Sequence, residues 1–190
     1  WECPRVMRPD PETGAKRVVR LPHQAGKTTH IEKMLAADPV RNHLIADLVR
    51  TAFDKGRKIV VFSTLHDHLK ALHSACRKLE IPVKDMGMYV GATTKAERLK
   101  RDREAGRQIL FTTYSMMGEG TDLPWLDTCI LAMPRSKITQ PIGRIRREYD
   151  GKPHPAVFDI VDADSPVFQS YANSRLADYQ KLGAQVFNIS

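Results

Sequence analysis

Short apolar runs alternate with amphipathic stretches through most of the chain. The runs at 58–63, 108–113, 128–133 and 156–162 are short and rich in β-branched and other apolar residues, which is typical of buried parallel strands. A more mixed run at 84–90 predicts one further strand. The stretches between these runs are the candidates for helices.

Two of the intervening stretches have helical patterns. Residues 67–80 have an apolar residue every three or four positions, and residues 94–106 form a highly charged stretch that ends at a glycine. The apolar face of the first comprises Leu69, Leu72, Ala75, Cys76 and Leu79. The alternation of strand and helix predicts an α/β fold with a mainly parallel sheet and helices on both faces.

Two more helices are predicted before the first strong strand, at 29–38 and 39–56. In the second, Pro39 occupies the first helical position and Gly56 is the expected terminator. Its predicted apolar face comprises Leu44, Leu48 and Ala52.

The two ends of the chain are expected to extend the same unit. Residues 1–28 are predicted to be an N-terminal extension with an edge strand, for which the segment RVVRL at 17–21 is the candidate. Residues 165–190 predict an amphipathic helix followed by a short strand. With no internal repeat, a single domain over 1–190 is the economical interpretation.

Charge indicates a polyanionic partner. The chain has 190 residues and a net charge of +8, with a sequence pI of about 9.5. A basic surface attracts nucleic acid, although a solvated basic surface without a partner has the same composition.

Composition also bears on the compartment. No apolar run is long enough to cross a bilayer, so no membrane partner is expected. The cysteines Cys3, Cys76 and Cys129 are odd in number and widely spaced, which favours a reducing compartment, either cytoplasm or nucleoid.

The segment AGKTT at 25–29 resembles the end of a nucleotide-binding P-loop. The first glycine of such a loop would fall at Leu21, and Pro22 removes a backbone N–H that the loop needs for phosphate. The chain also lacks a strand that ends in the Asp-Glu pair of such enzymes. A glycine turn before a helix capped by Thr28 or Thr29 is therefore favoured over a phosphate site at Lys27.

The stretch ITQPIGRIRRE carries the pattern Q-x-x-G-R-x-x-R, formed by Gln140, Gly143, Arg144 and Arg147. The two arginines are three positions apart and share a face if the segment is helical. Guanidinium groups bind phosphate oxygens in bidentate pairs and stay charged. A solvated basic helix is the alternative interpretation.

A second informative stretch runs from a strand into a glycine-rich loop. Thr112 and Thr113 end the strand and can hold a nucleic-acid backbone, while Asp122 can accept a bond from a ribose hydroxyl. Gly118 and Gly120 permit close approach of the backbone. The alternative is a glycine-rich loop with a helix cap at Asp122.

Two further strand ends carry small polar residues. Ser63 and Thr64 follow the run at 58–63, and Gly91 follows the run at 84–90, with Thr93 or Thr94 expected to cap the next helix. Taken in order, the four stretches resemble motifs IV, IVa, V and VI of superfamily 2 helicases, over about 58–148. The residues and spacing of these motifs are similar to those of the XPB-like branch and its phage-encoded DNA helicases. The resemblance extends over roughly 26–163.

The resemblance implies the second, C-terminal RecA-like domain of a helicase, a three-layer α/β sandwich. In that family ATP binds between two such domains. The resemblance assigns the arginine fingers to Arg144 and Arg147 and the sensing of the γ-phosphate to Gln140. It assigns contacts with the nucleotide ribose to Gly120 and Asp122.

The resemblance also implies a nucleic-acid track, with DNA as the expected partner. Its members here are Ser63, Thr64, Gly91, Thr112 and Thr113. The P-loop and the acidic motif that holds Mg²⁺ would belong to an N-terminal RecA-like domain of the same protein, so this chain alone is predicted to be inactive. A free-standing nucleic-acid-binding module and an NTPase that uses Lys27 are the two alternatives.

One position departs from the family pattern. Pro141 follows Gln140, where many family members carry another residue, so the resemblance does not define the geometry of this turn.

The spacing of His66, Asp67 and His68 does not present ligands on one helical face, so no metal site is predicted and Asp67 is expected to cap a helix. Trp125 is expected to pack in the core rather than stack on a base.

Overall fold

The computed structural model describes residues 2–7, 28–92, 94–117, 123–163 and 165–189. The strands are β1 Glu2–Met7, β2 Ile59–Ser63, β3 Met86–Tyr89, β4 Ile109–Thr113, β5 Thr128–Leu131, β6 Ala156–Val161 and β7 Gln185–Ile189. The helices are α1 Thr28–Ala37, α2 Pro39–Asp54, α3 His66–Lys78, α4 Lys95–Glu104, α5 Thr139–Ile145 and α6 Pro166–Lys181, with a 3₁₀ turn at Val83–Asp85.

The strands form one sheet in the order β3-β4-β2-β5-β6-β1-β7, and every described pair is parallel. In the middle of the sheet, Ile59 of β2 lies opposite Ile109 of β4 on one side and Thr128 of β5 on the other. The carboxyl ends of the strands therefore meet at one edge, which is where ligands bind in open α/β sheets. The predicted α/β fold with a parallel sheet is confirmed.

The N-terminal strand does not lie at an edge of the sheet. Strand β1 is Glu2–Met7, and it pairs with β6 and β7, so that Glu2 lies opposite both Ala156 and Gln185. The outermost strands of the sheet are β3 and β7. Pro4 cannot donate to a sheet ladder, which is why the pattern favours another segment. That segment, 17–21, lies outside the described residues.

Alternate residues along each central strand pack against opposite layers of helices. On one face Ile59 and Val61 of β2 contact a cluster that contains residues of α2 and α3, and on the other face Val60 and Phe62 join residues of α5 and α6. Burial on both faces explains why these strands read as continuous apolar runs. It also confirms the prediction of helices on both faces.

The buried face of α2 differs from the predicted one. Ile45 and Val49 are completely buried, whereas Leu44 and Leu48 are only partly buried. The helix packs against α3 and the sheet, so the contact line is rotated by one residue from the leucines. Arg41, three residues before Leu44, is also completely buried.

Local signals at the helix ends are mostly read correctly. Thr94 forms a capping box with Glu97, and Gly56 has the positive φ of 71° that ends α2. The expectation for Asp67 is wrong, because α3 begins at His66 and the Asp67 carboxylate pairs with Lys70 at 2.9 Å in the first turn. Trp125 is partly buried against the α5 and α6 side of the core, as expected.

Candidate nucleotide and nucleic-acid interface

The fold brings the predicted nucleic-acid contacts onto three neighbouring strands. Ser63 of β2 lies opposite Thr113 of β4, and Gly91 follows β3, which is the next strand outward. These residues are between 22 and 50 positions apart in sequence. The carboxyl edge of the sheet therefore gathers them at one surface, as parallel pairing requires.

Two of the hydroxyl groups predicted to contact nucleic acid form hydrogen bonds inside the protein. Ser63 and Thr112 are completely buried. The Ser63 hydroxyl lies 2.9 Å from Nδ1 of His68, and the Thr112 hydroxyl donates to the Tyr89 carbonyl at 2.5 Å. A phosphate cannot reach either hydroxyl in this conformation. A contact through either hydroxyl would require a different conformation, and a role of these two positions in binding nucleic acid stays a prediction.

The remaining members of the predicted track are closer to solvent. The hydroxyls of Thr113 and Ser115 are 3.0 Å apart, and partly buried Thr64 donates to Glu32 at 3.0 Å. Gly91 is exposed. Contacts of Thr64, Gly91 and Thr113 with a nucleic-acid backbone stay a prediction, with backbone amides as well as side chains available for them.

Helix α5 carries the Q-x-x-G-R-x-x-R pattern on a short, firmly anchored segment. Pro141, Ile142 and Ile145 are buried, while Gln140 is exposed and Arg144 is partly exposed. Pro141 lies in the first turn, where a helix needs no N–H from it. The substitution that sets this chain apart from many relatives is thus compatible with a regular helix.

The two predicted finger arginines lie at the carboxyl end of α5. Arg144 is in its last turn, and Arg147 follows the C-cap residue Arg146, with its amide 3.4 Å from the Arg144 carbonyl. Gly120 and Asp122, the predicted ribose contacts, lie outside the described residues, as do Gly118, Gly26 and Lys27.

A buried chain of hydrogen bonds beneath the strand ends was not predicted. The Ser63 hydroxyl, the His68 ring and the Asn42 side chain are joined by contacts of 2.9 Å each. Because the Asn42 amide nitrogen donates to the Ala36 carbonyl, its oxygen must accept from Nε2 of His68, which leaves Nδ1 to accept from Ser63. Every member is satisfied only when the imidazole is neutral.

The stability of the domain is expected to depend on pH through His68. Burial lowers the pKa of His68 to about 3 from 6.5, and the charge of Arg41 acts in the same direction. Below pH 6.5 the unfolded chain takes up a proton that the folded state refuses. The contribution of the neutral His68 side chain to the free energy of unfolding is therefore complete above pH 6.5. It falls by about 1.4 kcal/mol per pH unit as the pH drops towards 3.

Urea unfolding at pH 7.5, 6.0 and 5.0 measures this loss. His68→Gln removes the titrating group, so its free energy of unfolding should fall less steeply with acidification than that of the wild type. His66→Gln, at an exposed neighbouring position, is the matched control and should keep the wild-type slope. Equal slopes in the His68 variant and the wild type would contradict the assignment.

Two buried arginines hold the segment that leads into α5. Nε and Nη2 of Arg41 donate to the Asp162 carboxylate at 2.8 and 2.9 Å, and Nη1 donates to the Ala132 carbonyl at 2.7 Å. Arg175 does the same with Asp159, at 3.0 and 2.6 Å, and with the Arg135 carbonyl at 2.7 Å. Both guanidinium groups therefore fix the chain between β5 and α5.

Three of the predicted ATP contacts lie on α5 or just after it. Gln140, Arg144 and Arg147 supply an amide and two guanidinium groups, which suit phosphate oxygens. No group of three or more His, Cys, Asp or Glu side chains that could hold a metal ion occurs in the part of the chain that the structure describes.

Among the described helices, none is both long and apolar enough to cross a membrane. The wholly parallel sheet and the Q-x-x-G-R-x-x-R pattern carried by α5 define a RecA-like α/β domain of the helicase type. No family model matches the sequence.

A protein of Acanthamoeba polyphaga mimivirus, described as a candidate ATP-dependent RNA helicase, is 34% identical to the chain over 149 residues, which are 78% of this chain and 28% of the viral protein. The chain thus spans about a quarter of the length of the curated relatives that it matches.

Solved structures agree with this fold. T4 UvsW superposes over 99% of this chain and 41% of its own, with a TM-score of 0.71 and 18% identity. The C-terminal domain of the DEAD-box protein Dbp5 superposes over 80% of this chain and 84% of its own, with a TM-score of 0.56 and 15% identity. The chain is a C-terminal RecA-like helicase domain, as its motifs predict.

Proposed function

We propose that this chain is the C-terminal RecA-like half of an ATP-dependent superfamily 2 helicase or translocase. The observation that carries the proposal is the set of accessible groups suited to phosphate on α5. Buried residues anchor this helix in the core, while Gln140, Arg144 and Arg147 are exposed or partly exposed. Gln140 also lines a cleft with Tyr114 and Ser115, which follow β4, so the start of α5 lies beside the proposed nucleic-acid contacts.

In this proposal ATP, with Mg²⁺ held by an N-terminal RecA-like domain, supplies the energy when it is hydrolysed between the two domains. Arg144 and Arg147 neutralise the charge that builds on the γ-phosphate, and Gln140 senses whether that phosphate is present. Gly120 and Asp122 are proposed to meet the ribose. Buried residues anchor α5 in the core, and electrostatic stabilisation requires groups that are positioned in advance.

The proposed partner is a nucleic-acid strand that crosses the ends of β3, β4 and β2. Thr64, Gly91 and Thr113 contact its backbone, and such contacts position the strand without reading its sequence. DNA was the partner expected from the motifs, whereas the mimivirus relative is described as acting on RNA. Binding measured side by side with DNA and RNA oligonucleotides of equal length decides between them.

Dependence on a second domain provides the test of this function. The purified 190-residue chain is expected to show no ATP hydrolysis above background, with or without oligonucleotide, because it lacks a P-loop. Fusion to an N-terminal RecA-like domain with a P-loop, taken from its own longer protein, should restore hydrolysis.

The rival NTPase interpretation predicts the opposite outcome for the same chain. Hydrolysis by the isolated chain that disappears in Lys27→Ala would refute the proposal and place the phosphate site at the AGKTT segment. A Lys55→Ala variant, which changes an exposed lysine elsewhere, serves as the matched control.

A free-standing nucleic-acid-binding module without ATPase activity is the second candidate. The net charge of +8 favours it, because a basic surface suffices for such a module. Oligonucleotide binding that is unaffected by fusion to the P-loop domain, together with a fusion that hydrolyses no ATP, would favour this candidate.

A further inference from the structure

A cleft of about 510 Å³ opens at the carboxyl edge of the sheet, beside the proposed strand contacts. It lies between the chain that leaves β4 and the segment that joins β5 to α5, and these strands are the two neighbours of β2. Its lining includes Tyr114, Ser115, Arg135, Lys137, Thr139 and Gln140. Arg135 and Lys137 belong to none of the helicase motifs considered above.

The side chains that line this cleft carry positive charge and no negative charge. It offers two cations together with the hydroxyl groups of Ser115 and Thr139, and it includes no acidic residue. Arg135 and Lys137 are exposed, and no salt bridge joins either of them to a carboxylate within the described residues. Two cations with hydroxyl donors and no counter-charge suit a phosphate group.

Arg135 is held in place before any ligand arrives. Its guanidinium lies over the ring of Tyr114, 5.5 Å from the centroid, and that ring stacks on Phe62 at 5.2 Å. The Tyr114 hydroxyl donates to the Met133 carbonyl at 2.6 Å, and Arg175 donates to the carbonyl of Arg135 itself. Such pre-organisation reduces the entropy lost when a ligand is bound.

We propose that the cleft lined by Arg135 and Lys137 is a phosphate-binding site, distinct from the arginine fingers, that holds a backbone phosphate of a nucleic-acid strand. The inference rests on the proposed function and adds a contact to its track. The guanidinium of Arg135 provides a planar fork for two oxygens, and Lys137 supplies a second, more mobile charge. The cleft opens beside Thr113 and Ser115, so a strand on the β4 end passes over it.

A nucleotide phosphate has the same chemistry, so the experiment must separate the two sources. Fluorescence anisotropy is measured with the 190-residue chain, using labelled dT20 and rU20 in one arm and a fluorescent ATP analogue in the other. The test variant is Arg135→Gln/Lys137→Gln. The control is Lys55→Gln/Lys181→Gln, which removes the same charge from exposed lysines at the opposite edge of the sheet.

The test variant is expected to bind both oligonucleotides about tenfold or more weakly, because it loses two charged contacts with phosphate. The slope of log affinity against log salt should decrease by about 1.4, since each contact with a single strand contributes about 0.7. The control variant should retain the wild-type affinity to within about twofold, because its lysines are remote from the cleft. Thermal melting of both variants verifies that these exposed changes preserve the fold.

The possible outcomes are distinct. Weaker oligonucleotide binding in the test variant alone supports the site with nucleic acid as the source, and weaker binding of the ATP analogue alone supports it with a nucleotide as the source. Equal losses in the test and control variants, or none in either arm, overturn the site while leaving the proposed function intact. A wild-type chain that binds no probe overturns both the site and the proposed nucleic-acid track.

Discussion

Arg175→Met is expected to lower the free energy of unfolding by about 3–5 kcal/mol, enough to unfold much of the population of an ordinary domain. Arg175 and Asp159 are both almost completely buried, and no water can replace the lost partner easily. The substitution removes the charged partner of the buried Asp159 carboxylate, to which Tyr179 also donates, at 3.1 Å.

The charge state of Arg175 shows how strongly the pair is coupled. Burial works to lower the pKa of the guanidinium, but the charge of Asp159 and the hydrogen bonds to it outweigh burial, so the pKa of Arg175 is raised. Arg175 therefore keeps its positive charge in the core. Removing one member leaves the other charge buried without its ionic partner. The resulting desolvation penalty is larger than the free energy of a single hydrogen bond.

A double-substitution cycle separates this cause from lost packing. Adding Asp159→Asn to Arg175→Met removes the unpaired charge, so the double variant should be more stable than Arg175→Met alone. Lys70→Ala, which breaks a solvent-exposed pair with Asp67, is the control and should cost no more than about 1 kcal/mol. Urea denaturation of the wild type, Arg175→Met, Asp159→Asn, the double variant and the control measures all the terms. A double variant no more stable than the single one would refute the unpaired-charge explanation.

Arg144→Ala and Arg147→Ala are each expected to reduce ATP hydrolysis by about 10³-fold or more in a protein that carries both RecA-like domains. The physical reason is that a guanidinium placed at the γ-phosphate stabilises charge that develops only as the bond breaks. The loss should therefore appear in kcat, with binding of the nucleic-acid strand unchanged.

Arg146→Ala provides a matched control within the same helix end. Arg146 is exposed and lies between the two predicted fingers, but it is outside the Q-x-x-G-R-x-x-R pattern. The substitution should leave kcat close to the wild-type value. Steady-state hydrolysis with saturating oligonucleotide, together with anisotropy for strand binding, measures both effects. Normal hydrolysis in both the Arg144 and Arg147 variants would rule out the finger assignment.

Local features of the fold follow from short-range signals. The continuous apolar runs mark β2, β4 and β5 because strands buried on both faces need no polar positions. The capping box at Thr94 and the glycine at 56 mark helix ends because they satisfy backbone groups within a few residues. The Q-x-x-G-R-x-x-R pattern is equally local, since one short helix carries it.

The parts that pattern analysis missed depend on partners far apart in the chain. Arg41 and Asp162 are 121 residues apart, and His68 and Asn42 are 26 residues apart. A helical pattern assigns such polar residues to the solvent side, because it contains no information about what the opposite layer supplies. The same limit hid the cleft at Arg135, which exists because β4 and β5, consecutive in sequence, end on either side of β2.

By itself, then, the sequence determined the alternation of strands and helices, most helix ends and the segment that carries the Q-x-x-G-R-x-x-R pattern, because each is set by interactions within a few residues. Only the tertiary structure decided that β1 inserts between β6 and β7, that four polar side chains of α2, α3 and α6 are buried, and which strand ends share a surface. Those features depend on pairing between distant segments, where burial removes water and makes each polar group require a specific partner.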